Sequence, residues 1–283
     1  MKSAYFPVYT QVNQRPITIC ENLPATVFEY PFFNDAVGLV RPSNSIRKEL
    51  DLNSENSSIN AESLQLKGFI FHTSHCGSTL LANMLKGSKK TRVVAETEAI
   101  NGLLLSAVFY KLEEPILLMQ LKKIIEAYLK PLGEAEQVVF KLTSWNVFFI
   151  DLFQKVYPNV PWIFIDRKTE EVVASLSKSR RGFVEWFYHP TTILQEYFLD
   201  NKIETVSFEA YLRAMVEAHK SFAKNAHFGK NKCIEYPSFI SEFKSKILPH
   251  FNLNYSDKEF HAVEEIKKLD AKSFQKTPFP FSE

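Results

Sequence analysis

Cysteine is scarce in this chain. Its 283 residues include three, Cys20, Cys76 and Cys233, widely separated and with no C-x-x-C spacing. That argues against a disulfide framework and a structural zinc site, and for a reducing compartment. Net charge is almost absent too. The formal value of +2 is too small for bulk electrostatics to hold nucleic acid. No apolar run is long enough to span a bilayer; the longest uncharged one, Ala99 to Tyr110, reads as a buried helix. The stretch Met1-Lys-Ser-Ala-Tyr-Phe-Pro7 has no apolar h-region, so no signal peptide is expected. A cytoplasmic protein without membrane or nucleic-acid partner follows as the expectation. What is abundant is aromatic: 25 Phe and 11 Tyr, enough to build a sizeable core in one large domain with at most a small appendage.

The most informative segment runs Phe69-Ile-Phe-His-Thr-Ser-His-Cys-Gly-Ser-Thr-Leu-Leu-Ala-Asn-Met84. A short apolar run passes through small polar residues into a helical pattern carrying Leu80, Leu81, Met84 and Leu85. Strand, tight loop and helix together describe an anion-binding loop, because loop amides and a helix N-terminus both present N–H groups to a negative charge. A Walker A loop is excluded by subtraction. With Gly77 as its second glycine, His72 stands where the first belongs and Ser78 where the lysine belongs. Ser74, Cys76, Gly77, Ser78 and Thr79 can still hold a 5′-phosphate through backbone and hydroxyl donors. A phosphatase loop would need arginine six residues after Cys76, and that position is Ala82. Cys76 thus reads as a small residue fitting the turn, although a helix N-terminus would also lower a thiol pKa.

Strands and helices alternate along the core. Strands are expected at Gly68–His72, Arg92–Ala95, Gln137–Leu142, Pro161–Asp166 and Cys233–Tyr236. Helices are expected at Ser78–Gly87, Ala99–Leu112, Pro115–Leu129, Ser144–Tyr157, from an N-cap at Thr169 to Lys178, at Phe208–His227 and at Pro237–Phe251. No internal repeat is visible. The alternation predicts an α/β fold, three layers with a central parallel sheet. Residues 1–60, rich in Pro, Asn and aromatics and ending in the polar stretch Asp51 to Glu62, read as an N-terminal extension or cap on a main domain of 61–283.

The stretch Ser74-His75-Cys76-Gly77-Ser78-Thr79-Leu80-Leu81 resembles the 5′-phosphosulfate loop of the sulfotransferase superfamily, which reads Pro-Lys/Arg-Ser-Gly-Thr-Thr before a helix. A second family element is a strand ending in arginine, with serine eight residues on. Trp162-Ile-Phe-Ile-Asp-Arg167 followed by Ser175 matches that spacing. The resemblance covers roughly residues 67 to 250 and suggests a divergent, bacterial-looking member with the P-loop fold. It implies that 3′-phosphoadenosine 5′-phosphosulfate (PAPS) is the sulfuryl donor, with no metal. Arg167 and Ser175 would hold the 3′-phosphate, and Ser74 to Thr79 the 5′-phosphosulfate. The acceptor would be a hydroxyl or amine of a small molecule or glycan. Acceptor identity and oligomeric state are not legible.

His75 stands where the family carries lysine or arginine. It is either a donor to the leaving phosphate oxygen or a loop histidine satisfied by backbone. The missing loop cation also supports an alternative, a catalytically altered or inactive nucleotide-binding protein. Several sulfotransferases carry a glutamate after the second strand as general base; Glu96 is the closer match and Glu98 its neighbour, and a solvated loop carboxylate is the competing account. Lys141, at the end of an otherwise apolar strand, needs an anionic partner or water. It is a catalytic candidate or half of a structural ion pair. Trp145 and Asn146 are candidates to face the acceptor. Lys178, Arg180 and Arg181 extend the anion site or are solvated, and Lys272 to Lys276 loosely resembles the late basic loop that closes over the nucleotide.

Overall fold

A computed structural model describes residues 2–52, 63–179, 182–189, 191–199, 207–226 and 231–273. Arg180, Arg181, Lys276 and most of the polar stretch after Asp51 lie outside these.

The chain starts with an antiparallel unit that the sequence does not announce. Strands β1 (Ser3–Thr10) and β2 (Thr18–Pro24) form a hairpin, helix α1 (Phe33–Val40) follows, and β3 (Arg47–Glu49) pairs with β2. The Glu21 carboxylate is buried in this unit and held by Arg41 and by Arg47 at 2.8 Å.

A five-stranded parallel sheet comes next. Its strands are β4 (Gln65–His72), β5 (Thr91–Ala95), β6 (Gln137–Lys141), β7 (Trp162–Asp166) and β8 (Asn231–Glu235), in the order β5-β6-β4-β7-β8. Each expected core strand is present, within a few residues at its ends. The expected fold class is the observed one.

Alternation along each strand sorts side chains to opposite faces. Phe69, Phe71, Val138, Phe140, Trp162 and Phe164 face one layer, whereas Ile70, Val139, Ile163 and Ile165 face the other. The aromatic face packs on α3 (Glu98–Tyr110), α4 (Glu114–Tyr128), α5 (Ile150–Val156), α6 (Thr169–Ser179) and α8 (Phe208–Asn225), with the short α7 (Ile193–Leu199) beside them. The aliphatic face packs on α2 (Ser78–Leu85), the helical run 239–250 and a last helix, Asp257–Ile266. The N-terminal hairpin joins the aromatic layer. Its close seat on α3 needs Gly102, where a Cβ would lie 2.1 Å from the Thr10 carbonyl oxygen. Thr10 Oγ1 donates to the Ala99 carbonyl at 2.7 Å.

Three helix expectations are corrected. Residues 144–149 are a 3₁₀ segment leading into α5, opened by Thr143 and Asn146, whose amide oxygen accepts from the Thr143 N–H at 3.1 Å. Thr169 is the first residue of α6, and its hydroxyl donates to Glu217 instead of capping. In the run 239–250, residues Phe243–Ile247 are π-helical. Pro249 has no N–H for the carbonyl four residues back, so the helix re-registers ahead of it.

Candidate functional site

Strand order fixes where a ligand belongs. The chain leaves β4 toward β5 on one side of the sheet and leaves β7 toward β8 on the other. Neighbouring strands whose connections diverge open a crevice at their carboxyl ends. The loop after β4 and Arg167 after β7 flank that crevice.

Residues 73–77 turn the chain from β4 into α2. His75 has φ 54° and Gly77 φ 80°. At Gly77 the left-handed backbone and close packing act together, since a Cβ would sit 2.7 Å from the Tyr236 ring. Gly77 caps α2 with no side-chain hydrogen bond, leaving the first-turn amides open to an anion. Ser78 and Thr79 stand in that turn, both buried. Cys76 is fully buried, and burial pushes its thiol up to about 11, so it fills the turn as a neutral group.

Arg167 and Ser175 both come to this loop. Arg167 Nη1 donates to the His75 carbonyl at 3.0 Å, its Nε pairs with Glu171 at 2.8 Å, and its guanidinium lies 4.9 Å from the Tyr236 ring centroid. Ser175 Oγ and His75 Nδ1 are 2.6 Å apart. Burial, then Lys272 and Arg167, push His75 down to about 4, so its imidazole is neutral near pH 7. Lys272 reaches the neighbourhood because Asn83 Nδ2 donates to the Ala271 carbonyl at 2.8 Å, fastening the late segment to α2.

The loop lacks a lysine, but a lysine ammonium reaches it from β6. Lys141 is 1% exposed. Its Nζ donates to Thr79 Oγ1 at 3.4 Å and contacts Glu96 Oε1, beneath the Phe32 ring at 5.2 Å. Burial, then Lys272 and Lys86, push this ammonium down to about 7, although its Nζ lies against the Glu96 carboxylate. Glu96 follows β5 with φ 53°. Its N–H donates to the Lys141 carbonyl at 2.8 Å, which fixes the two residues together.

Glu98 turns elsewhere. It begins α3, accepts from Asn101 Nδ2 at 3.2 Å, and its N–H donates to Asn34 Oδ1 at 2.8 Å. Asn146 Nδ2 donates to Asn101 Oδ1 at 3.2 Å, so Asn146 belongs to this polar chain. Trp145 is buried against Trp186 at 5.6 Å and is core. Lys178 is exposed on α6. Among the described residues, no three His, Cys, Asp or Glu side chains gather as a metal would need, and no helix is long and apolar enough to cross a membrane.

Three side chains escape sequence reasoning. His72, buried at the end of β4, lies 2.7 Å from the Thr73 carbonyl oxygen through Nδ1, 2.9 Å from that of Leu142 through Nε2, and 3.9 Å from Glu96 Oε1. Burial takes its pKa down to about 3, so its neutral ring donates to one carbonyl only. Lys220 on α8 donates to the Arg167 carbonyl at 2.8 Å and pairs with Asp166 at 3.0 Å, holding the end of β7. Tyr236 packs between Gly77 and Arg167. Only Tyr236, directly after a strand, carried any signal in the sequence.

No family model matches this chain, and no curated protein does. Solved structures do. The chain is similar to mouse sulfotransferase SULT7A1 complexed with PAP, at 13% identity and TM-score 0.37, over 72% of this chain and 64% of the mouse protein's length. It is similar to the sulfotransferase domain from the curacin biosynthetic pathway at 11% identity and TM-score 0.40, over 71% of this chain and 78% of that one. It is also similar to sulfotransferase STF1 from Mycobacterium tuberculosis, at 13% identity and TM-score 0.43, over 72% of each chain.

Proposed function

We propose that this protein transfers a sulfuryl group from PAPS to a hydroxyl or amine of a small-molecule or glycan acceptor. One observation carries the reading: the anion loop, Arg167 and Ser175 are distant in sequence and meet at the divergence of β4 and β7. The donor set suits a nucleotide with phosphates at both 5′ and 3′. The open amides of α2, Ser78, Thr79 and Lys141 fit the 5′-phosphosulfate, with the backbone of Ser74 to Gly77 framing it. Arg167 and Ser175 fit the 3′-phosphate, since a guanidinium fork can make two charge-assisted bonds to it. PAPS would supply the transferable sulfuryl group.

The remaining chemistry falls to positioning and charge. Glu96 is the group placed to take the acceptor's proton, because it alone of the two candidate glutamates lies against the lysine that reaches the loop. Lys141 supplies the positive charge beside the first turn of α2. His75, neutral in the free protein, gains a proton when a dianion sits against it, since a nearby negative charge favours the imidazolium.

A second reading is favoured by one detail. His75 is hydrogen-bonded to Ser175 and held neutral, the state expected of a module that binds a nucleotide with altered chemistry. Thermal shift with PAP (adenosine 3′,5′-bisphosphate), AMP and ATP, followed by an assay of PAPS turnover, separates the two. Stabilisation by PAP above AMP and ATP with turnover supports sulfuryl transfer. The same preference without turnover on hydroxyl and amine acceptors selects the second reading. Stabilisation by AMP or ATP equal to that by PAP refutes sulfuryl transfer, and no stabilisation by any of the three refutes both.

A further inference from the structure

The Lys141–Glu96 pair sits in an unusual place for a structural ion pair. Its lysine is almost fully buried, while its carboxylate is 26% exposed at the mouth of the crevice. The ammonium leans on Glu96 and holds Thr79 Oγ1 only at 3.4 Å. Thr79 belongs to the open first turn of α2, where an anion would rest. Phe32 covers the ammonium, so it has little room beyond these two neighbours. An anion on α2 would bring a second negative charge within reach of the same lysine. An ammonium has three donors, but here Phe32 covers it and the two like charges repel, so its close contact goes to the more highly charged anion.

We propose that Lys141 changes partner, leaving Glu96 for the anion at the loop, so that Glu96 is masked in the free protein and released as a base only when the loop is filled. This rests on the reading of the loop as an anion site. It assigns Glu96 a role beyond proton transfer, as the anion that competes with the donor for one lysine. A compulsory order follows, donor first and acceptor second. Asn101 and Asn34 hold Glu98 apart from the exchange.

Calorimetric titration tests it with two probes, PAP and inorganic pyrophosphate, on wild type, Glu96→Gln, Lys141→Met and the double variant. Removing the competitor should tighten both anions by about tenfold, the size of a partly exposed charge-assisted contact. The gain should vanish when residue 141 is Met. Glu96→Asn serves as a second variant, because asparagine tolerates the positive φ at this position. Unchanged or weaker binding in Glu96→Gln and Glu96→Asn overturns the exchange. A gain that persists in the Lys141→Met background is plain charge repulsion and overturns it too. Should PAP fail to bind while pyrophosphate follows the expected pattern, the nucleotide assignment falls and the exchange stands. Failure of both anions to bind any variant overturns both.

Discussion

Arg167→Ala separates the phosphates of the proposed ligand. In the free protein the guanidinium makes one hydrogen bond to the loop, to the His75 carbonyl, and one ion pair within α6, to Glu171. The Glu171 pair is an exposed i,i+4 contact and contributes little, so a phosphate can draw the guanidinium away at small cost. A hydrogen bond to a charged group is worth about 1.5–3 kcal/mol, so PAP should bind about 10- to 150-fold more weakly to the variant. The loop also loses its tie at His75, a single bond to a carbonyl worth about 1 kcal/mol. That loss falls on PAP and AMP alike, so AMP should weaken by only about fivefold, and PAP by about fivefold beyond the loss of the phosphate contact. Lys220 still fixes the Arg167 carbonyl and Asp166, so the end of β7 stays in place in the variant. Isothermal titration of both nucleotides measures the difference. Equal losses for PAP and AMP would refute Arg167 as the 3′-phosphate ligand.

Glu96→Gln should lower turnover by ~10²–10⁴, the usual size of a general-base effect, with Glu98→Gln milder; a silent Glu98→Gln beside an active Glu96→Gln would exchange their roles. His72, His75 and His219 have pKa values pushed by burial to about 3, 4 and 3, below the ordinary value of 6.5. The unfolded chain therefore binds more protons below that value, and stability should fall as pH drops from about 6.5 toward 4, by up to about 1.4 kcal/mol per pH unit for each histidine. His219 lies between Phe148 and Phe183 with neither ring nitrogen partnered, so His219→Phe should raise stability at pH 7 by about 1 kcal/mol and flatten the acid slope in urea titrations; an unchanged slope would count against its buried neutral state. Gly102→Ala places a Cβ against the Thr10 carbonyl and should cost about 1–3 kcal/mol, read as a lower thermal midpoint; no loss would mean the hairpin can shift without penalty.

The parallel sheet was legible because its strands are short apolar runs bounded by turns, and buried strands need little else to specify them. The N-terminal hairpin was not. β1 contains Pro7, and its burial depends on α3 and α4, which lie about a hundred residues further along the chain. Local chemistry misled at Thr169, whose hydroxyl finds Glu217 on α8. The π segment before Pro249 follows from a missing N–H, whose effect falls on the turn before the proline and not at it. At the site, the loop and the eight-residue step from Arg167 to Ser175 could each be found because each is a local pattern; their meeting is the work of the fold. The pairing of Lys141 with Glu96 could not, since it arises from the register of β5 beside β6, where Ala95 lies opposite Lys141. His72 and Lys220 gain their roles from carbonyls that only the fold brings near.

The division of the sheet into an aromatic and an aliphatic face also decides what light can report. The chain has three tryptophans. Trp145 and Trp162 are buried in the aromatic layer, and Trp186 packs against it. The layer formed by α2, the run 239–250 and the last helix holds none. Tryptophan fluorescence, excited apart from tyrosine, therefore watches one half of the molecule. Loosening that starts around α2, where the anion loop ends, would be dark in tryptophan emission and visible to amide hydrogen exchange, and the two methods should disagree on where this protein starts to open.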